Sequence, residues 1–108
     1  MTVLKLDYDS PQSRTGAHRR ILWVMNKLEL TPERILCRTT VHGFHVKVEL
    51  KQSMTDGDVV LLQALMGSDY MRETFNTRRI LNGVKHWNVL HDKDTPWEEW
   101  PLEEAEPG

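Results

Sequence analysis

The chain has 108 residues, 39% hydrophobic and 28% charged, with a formal net charge of −2. That composition excludes wholesale disorder and allows one core, and no apolar run approaches the ~20 residues of a membrane span. A single cysteine, Cys37, excludes an internal disulfide and any multi-cysteine zinc site. No basic-then-apolar leader pattern opens the sequence, so the cytoplasm of a cell or infected host is the expected compartment. Charge is unevenly divided. Up to Lys93 there are fourteen basic and ten acidic residues; from Asp94 onward there are six acids and no lysine or arginine. We therefore expect one domain over residues 1–93 and an acidic, Pro/Trp-containing tail over 94–108. A basic body permits a polyanionic partner, although a solvated surface explains it equally well.

Val3 to Asp9 alternates as a strand, with Leu4, Leu6 and Tyr8 on one side and Lys5, Asp7 and Asp9 on the other. Ser10-Pro11 predicts a helix start, and Ala17, Ile21, Val24, Met25 and Leu28 continue at helical spacing. Arg34 to Thr40 is a short strand, Val41-His42-Gly43 a turn, and Phe44 to Leu50 a second alternating strand. There Phe44, Val46, Val48 and Leu50 point inward while His45, Lys47 and Glu49 point outward. Thr55-Asp56-Gly57-Asp58 resembles a capping box opening a helix over Val59 to Met66. Gly67-Ser68 interrupts it before a second helical piece from Asp69 to Leu81, and His86 to His91 reads as the last strand. The prediction is an α+β fold of βαββαβ, ferredoxin/RRM-like order: a four-stranded antiparallel sheet with helices on one face only.

The chemistry-bearing residues converge on the other face. Asp7 and Asp9, two apart on one strand, project their carboxylates from the same side. His45 lies on the outward set of the third strand, expected to neighbour the first. Paired carboxylates suit Mg²⁺ or Mn²⁺, and a nearby imidazole suits a phosphate contact or proton relay. Asp-x-Asp alone is a weak signal, since solvated acids at a strand end are common; the coincidence with His45 is what strengthens it. Lys5, Arg38 and Lys47 are the basic residues expected beside them. Arg72, Arg78 and Arg79 read first as a helix surface, with Arg72 and Glu73 in a local pair, and second as phosphate ligands.

The segment Val3-Leu4-Lys5-Leu6-Asp7-Tyr8-Asp9 resembles the first motif of archaeo-eukaryotic primases and primase-polymerases, an apolar strand ending in Asp-x-Asp. Thr39-Thr40-Val41-His42-Gly43-Phe44-His45-Val46 resembles their second motif, although it lacks the usual Ser-x-His form. Asn88-Val89-Leu90-His91-Asp92 is similar to the third, an acid after an apolar strand. The resemblance implies an RRM-like catalytic core and a nucleotidyltransferase acting on nucleoside triphosphates and a nucleic-acid strand. It further implies Asp7, Asp9 and Asp92 as catalytic ligands of Mg²⁺ or Mn²⁺, and His45 at the phosphates of the incoming nucleotide, where Lys47 and Arg38 are added as nucleotide-binding candidates. The chain is too short to hold the additional α/β unit with which family enzymes close their cleft.

Two other readings stand beside this one. An RRM-like module binding nucleic acid without chemistry is disfavoured, because Tyr8 and Phe44 fall on the inward sets and cannot present stacking surfaces. A protein-interaction domain would use Trp97 and Trp100 of the acidic tail to dock on a partner. Cys37, His42 and His45 have no recognised nucleophile–base spacing, and Cys37 reads as a small buried residue.

Overall fold

Alternation of apolar and polar residues builds the sheet. The structure, a computed structural model, describes residues 1–10, 12–91 and 95–103. Within them run β1 (Thr2–Asp9), α1 (Arg14–Lys27), β2 (Pro32–Thr39), β3 (Gly43–Leu50), α2 (Asp56–Leu65), α3 (Tyr70–Leu81) and β4 (Glu98–Trp100). The fold is α+β: a four-stranded antiparallel sheet in the order β1-β3-β2-β4, with three helices among the described residues. Leu4, Leu6 and Tyr8 pair across to Val48, Val46 and Phe44, and Ile35 and Cys37 complete that face on β2. Ile21, Val24 and Met25 of α1, with Val59 and Leu62 of α2, close the core over it. Each aliphatic side chain so buried contributes about 1.5–3 kcal/mol.

Helix boundaries follow local chemistry. Ser13, not Ser10, caps α1, its hydroxyl accepting from the Gly16 N–H at 3.0 Å. Ser10 instead donates its backbone N–H to the His42 carbonyl in the turn beside β3. The far end of α1 closes as a Schellman motif: Leu30 N–H reaches Met25 O, Glu29 N–H reaches Asn26 O, and Glu29 takes the left-handed φ of 55°. Thr55 caps α2 through the Asp58 N–H, as the capping-box pattern predicts.

Three expectations need correction. First, residues 86–91 do not form a strand, although Trp87 is buried. Secondly, the fourth strand comes from the segment expected to be a tail, and it pairs with β2: Ile35 opposite Trp100, Leu36 opposite Glu99, Cys37 opposite Glu98. Thirdly, β1 is an edge of this sheet, whereas the expected ferredoxin-like order makes the first and third strands the adjacent central pair.

The physical reason lies in how the outer edge of β1 is satisfied. Lys5 N–H donates to Gln63 Oε1 at 2.9 Å, and Asp7 N–H to Ser68 Oγ at 2.9 Å. Lys5 O accepts from Arg72 Nη1 at 2.8 Å, and Asp7 O from the Asp69 N–H at 2.7 Å. Side chains and the start of α3 thus occupy positions that a neighbouring strand would fill. Asn88 and Val89 attach one layer further out, through Arg72 Nη2 and Gln63 Oε1.

Candidate functional site

The register of β1, β3 and β2 sets one row of side chains on the sheet face opposite the core: Asp7 faces His45, and His45 faces Arg38. His45 Nε2 lies 3.5 Å from Asp7 Oδ1. On the other side of the ring, Arg38 Nε donates to His45 Nδ1 at 3.3 Å. A guanidinium can only donate, so Nδ1 accepts, and the proton of a neutral ring sits on Nε2, facing Asp7. Asp9, two residues along β1, projects from the same face as Asp7 and is exposed. Opposite it stands Gly43, where a Cβ would collide with the Tyr8 carbonyl; this glycine is what lets β3 close on β1 there.

His45 is nevertheless not solvent-facing. Only 4% of it is exposed, because this side of the sheet is covered in part. A hollow of ≈ 590 Å³ has Asp7 and His45 in its lining, with Arg72, Phe75 and Arg79 of α3 and residues 89–91 around them. The bare face expected from sequence is therefore the lining of a recess. Asp92, the expected third acid, lies outside the described residues, and the chain leading to it, through Leu90 and His91, lines this hollow.

The next row carries the opposite charge. Lys5 stands directly across from Lys47. Burial, the neighbouring Lys47 and then Arg72 lower the Lys5 pKa, so positive charge is crowded here. On the acidic row, burial first and the charge of Asp9 second raise the Asp7 carboxyl, and Arg72 opposes them. Two like-charged pairs of opposite sign thus lie side by side on one face.

Arg38 and Lys47 share a feature absent from the sequence reading. The indole of Trp97 lies against both, with Arg38 Cζ 4.4 Å and Lys47 Nζ 4.6 Å from the ring centroid. Arg72 forms the local pair with Glu73 expected from sequence, but it is not simply part of a helix surface. Besides its 2.7 Å ion pair with Glu73, it donates to Lys5 O, Asn88 Oδ1 and Val89 O, so its guanidinium is committed to holding the chain together. Glu73 is buried and accepts from Gln63 and Asn76 as well. The sequence carries a faint signal of this network: Gln63 stands four residues after Val59, on the buried stripe of α2.

Among the described residues, no group of three or more His, Cys, Asp or Glu side chains is placed to hold a metal ion. The donor chemistry of Asp7 and Asp9 still fits Mg²⁺ or Mn²⁺, since a cation between them would offset the burial and the Asp9 charge that raise the Asp7 carboxyl. No helix among the described residues is long and apolar enough to cross a membrane. Comparison with family models, curated proteins and solved structures returns no match.

Proposed function

We propose that the chain is a minimal primase-polymerase-like nucleotidyltransferase core of RRM-like descent, which handles a nucleoside triphosphate with a divalent cation on a nucleic-acid strand. One observation carries this reading: the Asp7/Asp9 pair and the Lys5/Lys47 pair are adjacent on one face, beside His45. A cation–polyphosphate complex is a ligand that relieves both pairs at once, its metal meeting the acids and its phosphates the lysines. RRM-like descent is supported by the β1-α1-β2-β3 portion, with β1 against β3, and by the three motif resemblances.

Within this reading Asp7 and Asp9 hold the cation, with Asp92 as the third ligand expected from the motif. The bound cation would supply charge neutralisation at the phosphoryl group being transferred. Lys5 and Lys47 draw the triphosphate to the face. Arg38, by donating to Nδ1, keeps the His45 Nε2–H directed at Asp7 and so orients the carboxylate. Reading the sheet as a plain RRM surface has less support, because Tyr8 and Phe44 stack on each other inside the core with centroids 4.9 Å apart.

The test is calorimetric titration of Mn²⁺ with and without a non-hydrolysable nucleoside triphosphate. The parent should bind both together. Asp7→Asn with Asp9→Asn should lose metal binding at least tenfold and keep its fold, because amides preserve shape without the charge the ion requires. Absence of binding by the parent at millimolar Mn²⁺ with triphosphate present would reduce the primase resemblance to motif coincidence. Binding without nucleotide incorporation on a single-stranded template would identify an inactive remnant.

A further inference from the structure

Two tryptophans, Trp97 just before β4 and Trp100 at its end, lie on opposite faces of the sheet. Trp100, opposite Ile35, turns to the core side, where its ring lies 6.3 Å from Phe44 and 5.0 Å from His18. Trp97, three residues earlier, turns to the polar face and rests on Arg38 and Lys47. It is held from both ends: Thr95 Oγ1 donates to Thr39 O at 3.0 Å, and the β2–β4 ladder begins at Glu98. Both cations rise from the sheet to reach the indole, and the residue stays only half-buried.

We propose that Trp97 is a stacking shelf for an unpaired base of a single-stranded nucleic acid, with Lys47 and Lys5 taking the neighbouring phosphates. This rests on the reading of the face as a nucleotide-handling surface and adds a strand-binding residue to it. A shelf of this kind needs an aromatic ring fixed before the ligand arrives, and cations beside it. Here the ring is anchored on both sides, and Lys5 and Lys47 face each other across the two strands. Glu99, at the far end of the Lys5–Lys47–Leu36 row, and Asp7 and Asp9 on the rows beside it repel phosphate, which leaves the two lysines as the place for the backbone. A single strand supplies a planar π-surface and a negative charge at each residue, whereas an acidic peptide supplies only the charge. In a duplex the base faces are already stacked.

The experiment measures binding of the full chain to a labelled oligothymidylate by fluorescence anisotropy, at low salt and without divalent metal. Trp97→Ala should weaken binding roughly tenfold, the usual worth of one base–aromatic stack, while Trp97→Phe retains most of the affinity. Lys5→Gln and Lys47→Gln should each flatten the salt dependence by about one counterion. Unchanged or tighter binding by Trp97→Ala would overturn the proposal, the tighter case marking the indole as a cover over the cations. Competition by polyglutamate as effective as by unlabelled oligonucleotide would overturn it too, in favour of a protein partner. If the parent binds Mn²⁺ with triphosphate but not the oligonucleotide, this inference fails and the proposed function stands. If the tryptophan effect is present while the acid pair binds no metal, the proposed function fails and the shelf stands.

Discussion

Asp7 shows how a single side chain records its surroundings. Burial and the charge of Asp9 raise its carboxyl above the ordinary value of 3.8. A folded-state acid with a raised pKa binds its proton more tightly than the unfolded chain does. Ionised Asp7 therefore lowers stability at neutral pH, and this penalty disappears as pH falls through the raised pKa. We expect Asp7→Asn to melt above the parent at pH 7 without metal, with the gap closing as the solution is acidified. A gap that stays constant from pH 7 to pH 3 would assign the effect to something other than ionisation. Cys37 is the contrasting case: burial pushes its thiol up to about 11, which makes it a packing residue and not a nucleophile. Side-chain alternation alone was enough to place Asp7, Asp9 and His45 on one face. The near-complete burial of His45 was not legible: its ring lies between Asp7 and Arg38, and α3 and residues 89–91, which share its hollow, are distant in the chain.

At the scale of elements, the β1 edge is the least expected feature. A sheet edge normally invites another strand. Here Gln63, Ser68 and Arg72 satisfy its polar groups from the α2–α3 side, and Arg72 alone donates to both β1 and the stretch at Asn88 and Val89. Arg72→Met should leave Glu73 buried without its cationic partner. We expect a loss of about 3 kcal/mol by chemical denaturation, together with faster hydrogen exchange along β1. A loss below about 1 kcal/mol would show that the ion pair is replaceable by water. The apolar pattern of His86 to His91 reads as a strand because Trp87, Val89 and Leu90 fit one. Which side chains had already filled the edge was invisible to a periodicity argument, as they come from two other elements.

For the whole molecule, the C-terminal segment is the deciding part. Its acids and prolines read as a tail, yet β4 extends the sheet on β2 and Trp100 packs against the core, with Pro101 O 2.7 Å from His18 Nε2. Removing everything after Thr95 should therefore lower the melting temperature by about 10 °C, given roughly 4–8 °C per kcal/mol for a domain of this size. It should also expose the β2 edge and promote self-association, measurable by light scattering. A melt unchanged by the truncation would return the segment to the status of a tail. The new edge at β4 is protected by brevity and charge: three residues, two of them Glu98 and Glu99.

The sequence by itself determined the inner and outer faces of three strands, the existence of the helices and the shared face of Asp7, Asp9 and His45. These follow from periods of two and 3.6 residues, which are local properties of the backbone. Only the tertiary structure decided where β4 pairs, what covers His45 and that Trp97 lies on Arg38 and Lys47. Each of those depends on which distant segment reaches a site first and satisfies its hydrogen bonds, and no local period records that competition.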